Sequence, residues 1–240
     1  VNTWLVAKRD LAAYLRSYAG YAILAGCLLI DGLLFNFVAM GDGAKYSHVV
    51  LEEFFNLTSG VTMIAAILFT MPTLAEERDN GTDVLLRTSA ITDRSVVLGK
   101  YLGAMGMLSL LVGLTIYMPA MVMVNGKVSL AHVGTGYLGL LLLGSAVASI
   151  GIFSSSLFRT QLPAGVIGGV LTVAMLLGWA GSQVTDPPFT DVLAYMALYQ
   201  GHFEAFKEGR LVSGSVVFYL SLTFLFLTLA TTVLQSRRHE

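Results

Sequence analysis

Residues Ala75–Lys100 read AEERDNGTDVLLRTSAITDRSVVLGK, a charged stretch set between two long apolar runs. The flanking runs, Phe54–Ala75 and Tyr101–Gly126, carry no charged side chain. Crossing the hydrocarbon core of a bilayer takes about 20 residues of helix. Both runs reach that length, so the charged stretch stands at a membrane surface, open to a partner.

Three further charge-free runs of spanning length lie downstream: Val133–Phe158, Thr160–Thr185 and Leu211–Ser236. A sixth, Ser17–Gly41, is interrupted only by Asp31. With 55% hydrophobic and 12% charged residues and a mean hydropathy of +0.74, the chain is excluded from the water-soluble classes. Backbone in lipid must satisfy its own hydrogen bonds, which selects helices. The expected fold is therefore an all-α integral membrane protein with six transmembrane helices. No internal repeat, low-complexity segment or linker divides residues 1–240, so one domain is expected.

Basic residues set the orientation. With the N-terminus inside, the inner segments hold Lys8, Arg9, Arg16, Arg78, Arg87, Arg94, Lys100, Arg159, Arg237 and Arg238. The outer segments hold Lys45, Lys127, Lys207 and Arg210, and ten against four is the asymmetry of the positive-inside rule. Six spans return the C-terminus to the same side. The first run is too long, and lacks the small-residue site, for a cleaved signal peptide. Cys27 is the single cysteine, so an internal disulfide is ruled out.

Two segments outside the spans have amphipathic patterning. Over residues 1–16, Trp4, Leu5, Leu11, Ala12 and Leu15 share a face, with Tyr18 following, and Lys8, Arg9 and Arg16 lie away from it. This predicts an interfacial helix, or one packed on other protein. In the outer loop 181–215, Thr190-Asp191 can cap a helix whose apolar positions run from Phe189 through Val192, Leu193, Met196, Tyr199, Phe203 and Phe206 to an end near Gly209. His202, Phe203, Glu204 and Phe206 are expected to hold this helix against the spans.

Within the charged stretch, Glu76-Glu77-Arg78-Asp79 continue the second span, and Asn80-Gly81 stops it. Thr82-Asp83 restarts a short helix carrying Val84, Leu85 and Leu86, which breaks at Thr88-Ser89. Thr92-Asp93 then caps the third span. Residues 75–95 thus predict a compact docking knob, the alternative being a solvated connecting loop.

The pattern AEER-x-x-GT-x-x-x-LL-x-TS, followed by VLGK-aromatic-L, resembles the cytoplasmic loop of ABC-2-type transporter permeases, and in particular the gliding-motility and copper-enzyme-maturation branch. His202-Phe203-Glu204, Phe206, Gly209, Tyr219-Leu220-Ser221 and Arg237-Arg238 extend the likeness to the last loop and span. The chain departs from the branch at Ala90, where members often carry Pro, and at Arg94-Ser95, where they carry an aromatic-acidic pair.

The resemblance implies the transmembrane subunit of an ATP-driven transporter, an exporter by family habit, in the inner membrane of a prokaryote. It implies a dimer with a second permease chain, two cytoplasmic ATPase subunits beneath, the lipid bilayer around them, and an outer accessory protein as a further candidate partner; nucleic acid is not among the partners. It makes Glu76, Glu77, Arg78, Gly81, Thr82, Leu85, Leu86, Thr88 and Ser89 the coupling segment that docks on the ATPase. No G-x-x-x-x-G-K-[ST] loop occurs, so Mg-ATP belongs to the partner and this chain is not itself an enzyme. A self-contained secondary transporter and a membrane scaffold that recruits a cytoplasmic partner are the alternatives.

Asp31 lies about 20 Å along the first span from Ser17. An acid at that depth costs about 2.5–3.5 kcal/mol on insertion scales, so it either lines the translocation path or is buried against another helix. His132, His202 and Glu204 lack metal-ligand spacing, and no metal site is expected. Met118, Met121 and Met123 beside Pro119 are the nearest approach to a methionine ligand face and read as packing. Gly99-x-x-x-Gly103 and Gly165-x-x-x-Gly169 are candidate sites of close helix approach.

Overall fold

The computed structural model describes residues 2–41, 45–81, 92–126, 128–184 and 189–237, which contain no strand. Six helical spans are long and apolar enough to cross a membrane: Tyr18–Met40, Ser47–Asp79, Asp93–Val124, Leu130–Leu157, Gln161–Ser182 and Ser213–Ser236. They are numbered one to six below. The chain is an all-α integral membrane protein. Both ends of the described chain lie at one end of the bundle, the termini face; the other end is the far face.

Side-chain caps open several spans. Ser17 Oγ accepts the Gly20 amide at 3.0 Å, Thr92 Oγ1 accepts that of Ser95 at 3.4 Å, and Ser129 Oγ accepts that of Ala131 at 3.3 Å. Thr92 is the cap that the sequence predicts. Span two starts at Ser47, earlier than the charge-free run, because Glu52 and Glu53 are carried in its first turns. It breaks at Met71 and restarts as Pro72–Asp79, Pro supplying a first-turn residue that needs no amide donor. Span three turns at Thr115-Ile116 before resuming as Tyr117–Asn125, since Pro119 cannot donate to the carbonyl one turn back.

Span four is the axis. It packs against spans two, three, five and six, and 78% of its most apolar window is buried, against 22% in span five. Its glycines let neighbours approach closely: a Cβ would stand 2.4 Å from Leu108 at Gly144 and 1.8 Å from Thr70 Oγ1 at Gly151. Span one lies against spans two and three.

The N-terminal helix, Asn2–Tyr14, differs in which side chains it packs on protein. It packs along span three through Val6, Ala7, Asp10 and Leu11, while Trp4, Leu5 and Tyr18 of the predicted apolar face are exposed. The reason is the glycine row of span three. A Cβ at Gly99 would meet Val6 at 2.6 Å, one at Gly103 would meet Asp10 at 3.1 Å, and one at Gly106 would meet Leu11 at 3.0 Å. The Gly99/Gly103 pair is therefore used within the chain. Of the second pair, Gly165 meets Met71 and Gly169 faces open space.

The outer loop also differs. In place of one amphipathic helix there are two short ones, Phe189–Met196 and Phe203–Lys207. The helix breaks because the Leu198 amide bonds the Met175 carbonyl of span five, while the Leu198 carbonyl accepts the Tyr219 hydroxyl of span six at 2.7 Å. Gly209, with φ of +77°, ends the second helix against His132.

Candidate coupling site

The helix Pro72–Asp79 leaves the termini face between spans two and three, and its fixed side is built from three other elements. Its first free amides, those of Leu74 and Ala75, donate to Ser155 Oγ of span four at 3.1 and 3.0 Å. Ser155 in turn donates to the Met71 carbonyl. A serine from a neighbouring span thus supplies the cap that the broken helix lacks. Arg78 Nη1 donates to the Ser156 and Phe158 carbonyls at the end of span four.

Glu77 points the other way, into a charge cluster. Its Oε1 lies 2.9 Å from both Lys100 Nζ of span three and Arg9 Nη2 of the N-terminal helix. Lys100 is 2% exposed; it also pairs with Asp10 Oδ2 at 3.2 Å and donates to the Thr73 carbonyl at 2.6 Å. A buried ammonium is tolerated only when paired and hydrogen-bonded, and here two carboxylates and a carbonyl meet that need. Tyr14 donates to the Phe69 carbonyl alongside. Burial, with the charges of Asp10, Glu76 and Glu77 nearby, pushes the Tyr14 pKa upward and keeps it a neutral donor. A cavity of about 280 Å³ opens beside the cluster, lined by Asp10, Tyr14, Glu76, Glu77, Asn80 and Lys100 among others.

The candidate residues therefore divide. Glu77 and Arg78 are engaged within the chain, whereas Glu76, Asp79, Asn80 and Gly81 are exposed. Gly81, at φ of +69°, ends the helix as the Asn80-Gly81 pair predicts. Thr82, Leu85, Leu86, Thr88 and Ser89 lie outside the described residues. Asp10, Lys100 and Ser155 escaped sequence reasoning. Lys100, about two turns past the Thr92 cap, enters the sequence reading as an orientation marker and as the last residue of the VLGK motif, and neither reading pairs it with Glu77.

Asp31 is buried in span one, close to Thr58 of span two and Tyr137 of span four. Its Oδ1 has no hydrogen-bond partner among the described residues. It is remote in the chain from the charge cluster and near the middle of its span. On the far face, His202 stacks on Phe218 at 3.8 Å, donates from Nε2 to the Tyr195 carbonyl at 3.0 Å, and accepts at Nδ1 from Ser215. Phe203 and Phe206 are buried, while Glu204 is half-exposed beside Lys207. Among the described residues no three His, Cys, Asp or Glu side chains gather as metal ligands. Met118 is buried and Met121 exposed, so these two do not share a face.

Among the described residues, six apolar helices with a polar cluster at the termini face, tying spans two and three to the N-terminal helix, define an integral membrane protein. Residues 1–178 match the family model of the ABC-2 type transporter. That is well over half of the chain, and the chain belongs to this family. No curated protein matches it. Members are the membrane permease component of ABC transporters; they normally pair with ATPase subunits, which carry the catalytic activity.

Proposed function

We propose that this chain is the permease half of an ATP-driven exporter and that Glu76–Ser89 is the segment its ATPase partner contacts. The carrying observation is the buried Lys100, which holds Glu77 of this segment to span three and, through Asp10, to the N-terminal helix. A push on the exposed side of the segment is then delivered to span three by the Glu77–Lys100 pair and to span four by Arg78 and Ser155. Mg-ATP binds to the partner subunits, whose closure supplies the push. Two permease chains pair, with both termini in the cytoplasm of a prokaryotic cell and the far face outward, and an outer accessory subunit would meet that face. The whole of residues 1–240 acts as one unit.

Asp31, with an unpaired oxygen at mid-membrane depth, lines the path in this reading. Predominantly apolar spans favour a lipid-like or polymeric cargo over a small hydrophilic solute. The motif residues of the coupling loop and last span support the gliding-motility and copper-enzyme-maturation branch. The test is recovery of the tagged chain from its native membrane in mild detergent. Stoichiometric recovery of a nucleotide-binding subunit, lost in Glu76→Lys, is expected; a folded chain recovered alone would favour a scaffold or self-contained transporter.

A further inference from the structure

A groove of about 270 Å³ runs between the start of span three and the end of span six. Leu227 and Thr231 form its buried floor, Leu98 and Phe224 its exposed apolar walls, and Arg94 and Gln235 its rim at the termini face. The hydroxyls of Thr228, Thr231 and Thr232 are spent on carbonyls of their own helix, which leaves the groove apolar below the rim. Arg94 is exposed and makes no ion pair or hydrogen bond among the described residues.

Length identifies the occupant. From Phe224 to Gln235 span six rises about 16 Å, the depth of one leaflet of a core about 30 Å thick. The groove is therefore apolar from mid-membrane to its rim and cationic where lipid phosphates lie. We propose that it binds one anionic glycerophospholipid of the termini-side leaflet, the phosphate on Arg94 and an acyl chain along Leu98, Leu227 and Phe224. Under the orientation proposed above, that leaflet is the cytoplasmic one, where anionic lipids concentrate basic residues. Such a lipid bridges span three, which receives Glu77, to span six.

The test is native mass spectrometry of the full-length chain, purified with its partners, during titration with phosphatidylglycerol or phosphatidylcholine of equal chain length. Wild type is expected to retain phosphatidylglycerol preferentially. Arg94→Gln should lower that retention about fivefold, the factor one basic residue near an anionic membrane surface provides. Thr228→Trp, which fills the groove and keeps the cation, should abolish the preference. Competition by inorganic phosphate alone should be absent, since the acyl chain is part of the ligand. Equal retention of the two lipids, phosphatidylglycerol retention unchanged in both variants, displacement by free phosphate, or a disulfide between two copies carrying Thr232→Cys would each overturn the proposal. None of these readouts requires ATP hydrolysis, so they stand apart from the permease reading.

Discussion

Lys100 Nζ of span three stands 2.9 Å from Glu77 Oε1 at the end of span two, and the ammonium is 2% exposed. A pair so placed ties the exposed segment beyond Glu77 to the membrane-embedded helix that follows it. Because Asp10 and Arg9 complete the cluster, the N-terminal helix is fixed by the same charges.

Lys100→Met removes the buried cation and leaves Asp10 and Glu77 to the half-exposed Arg9. Breaking a fully buried pair from one side costs about 3–5 kcal/mol, and the remaining Arg9 contacts put the loss here below that range. The variant should insert normally yet unfold at lower temperature, and hydrogen exchange should rise over the N-terminal helix. Lys100→Met with wild-type exchange in residues 2–14 would remove the cluster as the tether.

Gly99→Val places a branched side chain where a Cβ alone would lie 2.6 Å from Val6. Overpacking of this kind costs about 1–3 kcal/mol, and here moving the N-terminal helix relieves it. Limited proteolysis should cut within residues 2–14 faster than in wild type. Gly169→Val, at a position with nothing within 4 Å of the added Cβ, is the control and should leave that region unchanged.

His202 predicts a pH dependence on the far face. Burial lowers its pKa from the ordinary value of 6.5, against the Tyr195 carbonyl, which raises it. The folded site holds the neutral ring while the unfolded chain takes up a proton as pH falls through 6.5. Stability from this site is thus fully present above 6.5 and declines as pH falls towards the lowered folded value. Thermal unfolding followed in reconstituted protein should show this acid-side loss, and His202→Phe should flatten it. An equal slope in the variant would place the titrating group elsewhere.

Asp31 separates a path role from a packing role. Asp31→Asn removes the charge and keeps the side-chain shape, so it should preserve assembly, and both it and Asp31→Leu should impair transport in vesicles. Full transport in both variants would confine Asp31 to packing.

The spans were legible because charge-free runs of spanning length have one physical solution, and the Thr92 cap and Asn80-Gly81 stop because their chemistry is local. What escaped is tertiary. The face of the N-terminal helix is decided by glycines 90 residues away, so Val6 and Ala7 are buried in place of Trp4 and Leu5. The outer helix is broken by Met175 and Tyr219, and a face count over 189–209 cannot contain them. In the site, Glu76 and Glu77 read alike as adjacent acids. Only the fold turns Glu77 inward to Lys100 and leaves Glu76 exposed.

The most direct test is a double-mutant cycle on Glu77→Gln and Lys100→Met, read as ATP hydrolysis by the partner subunits with the permease in lipid vesicles. If the pair transmits the push, each single variant loses permease-dependent stimulation and the double variant is no worse than either. Independent, multiplying losses, or stimulation unchanged in both singles, would contradict the account.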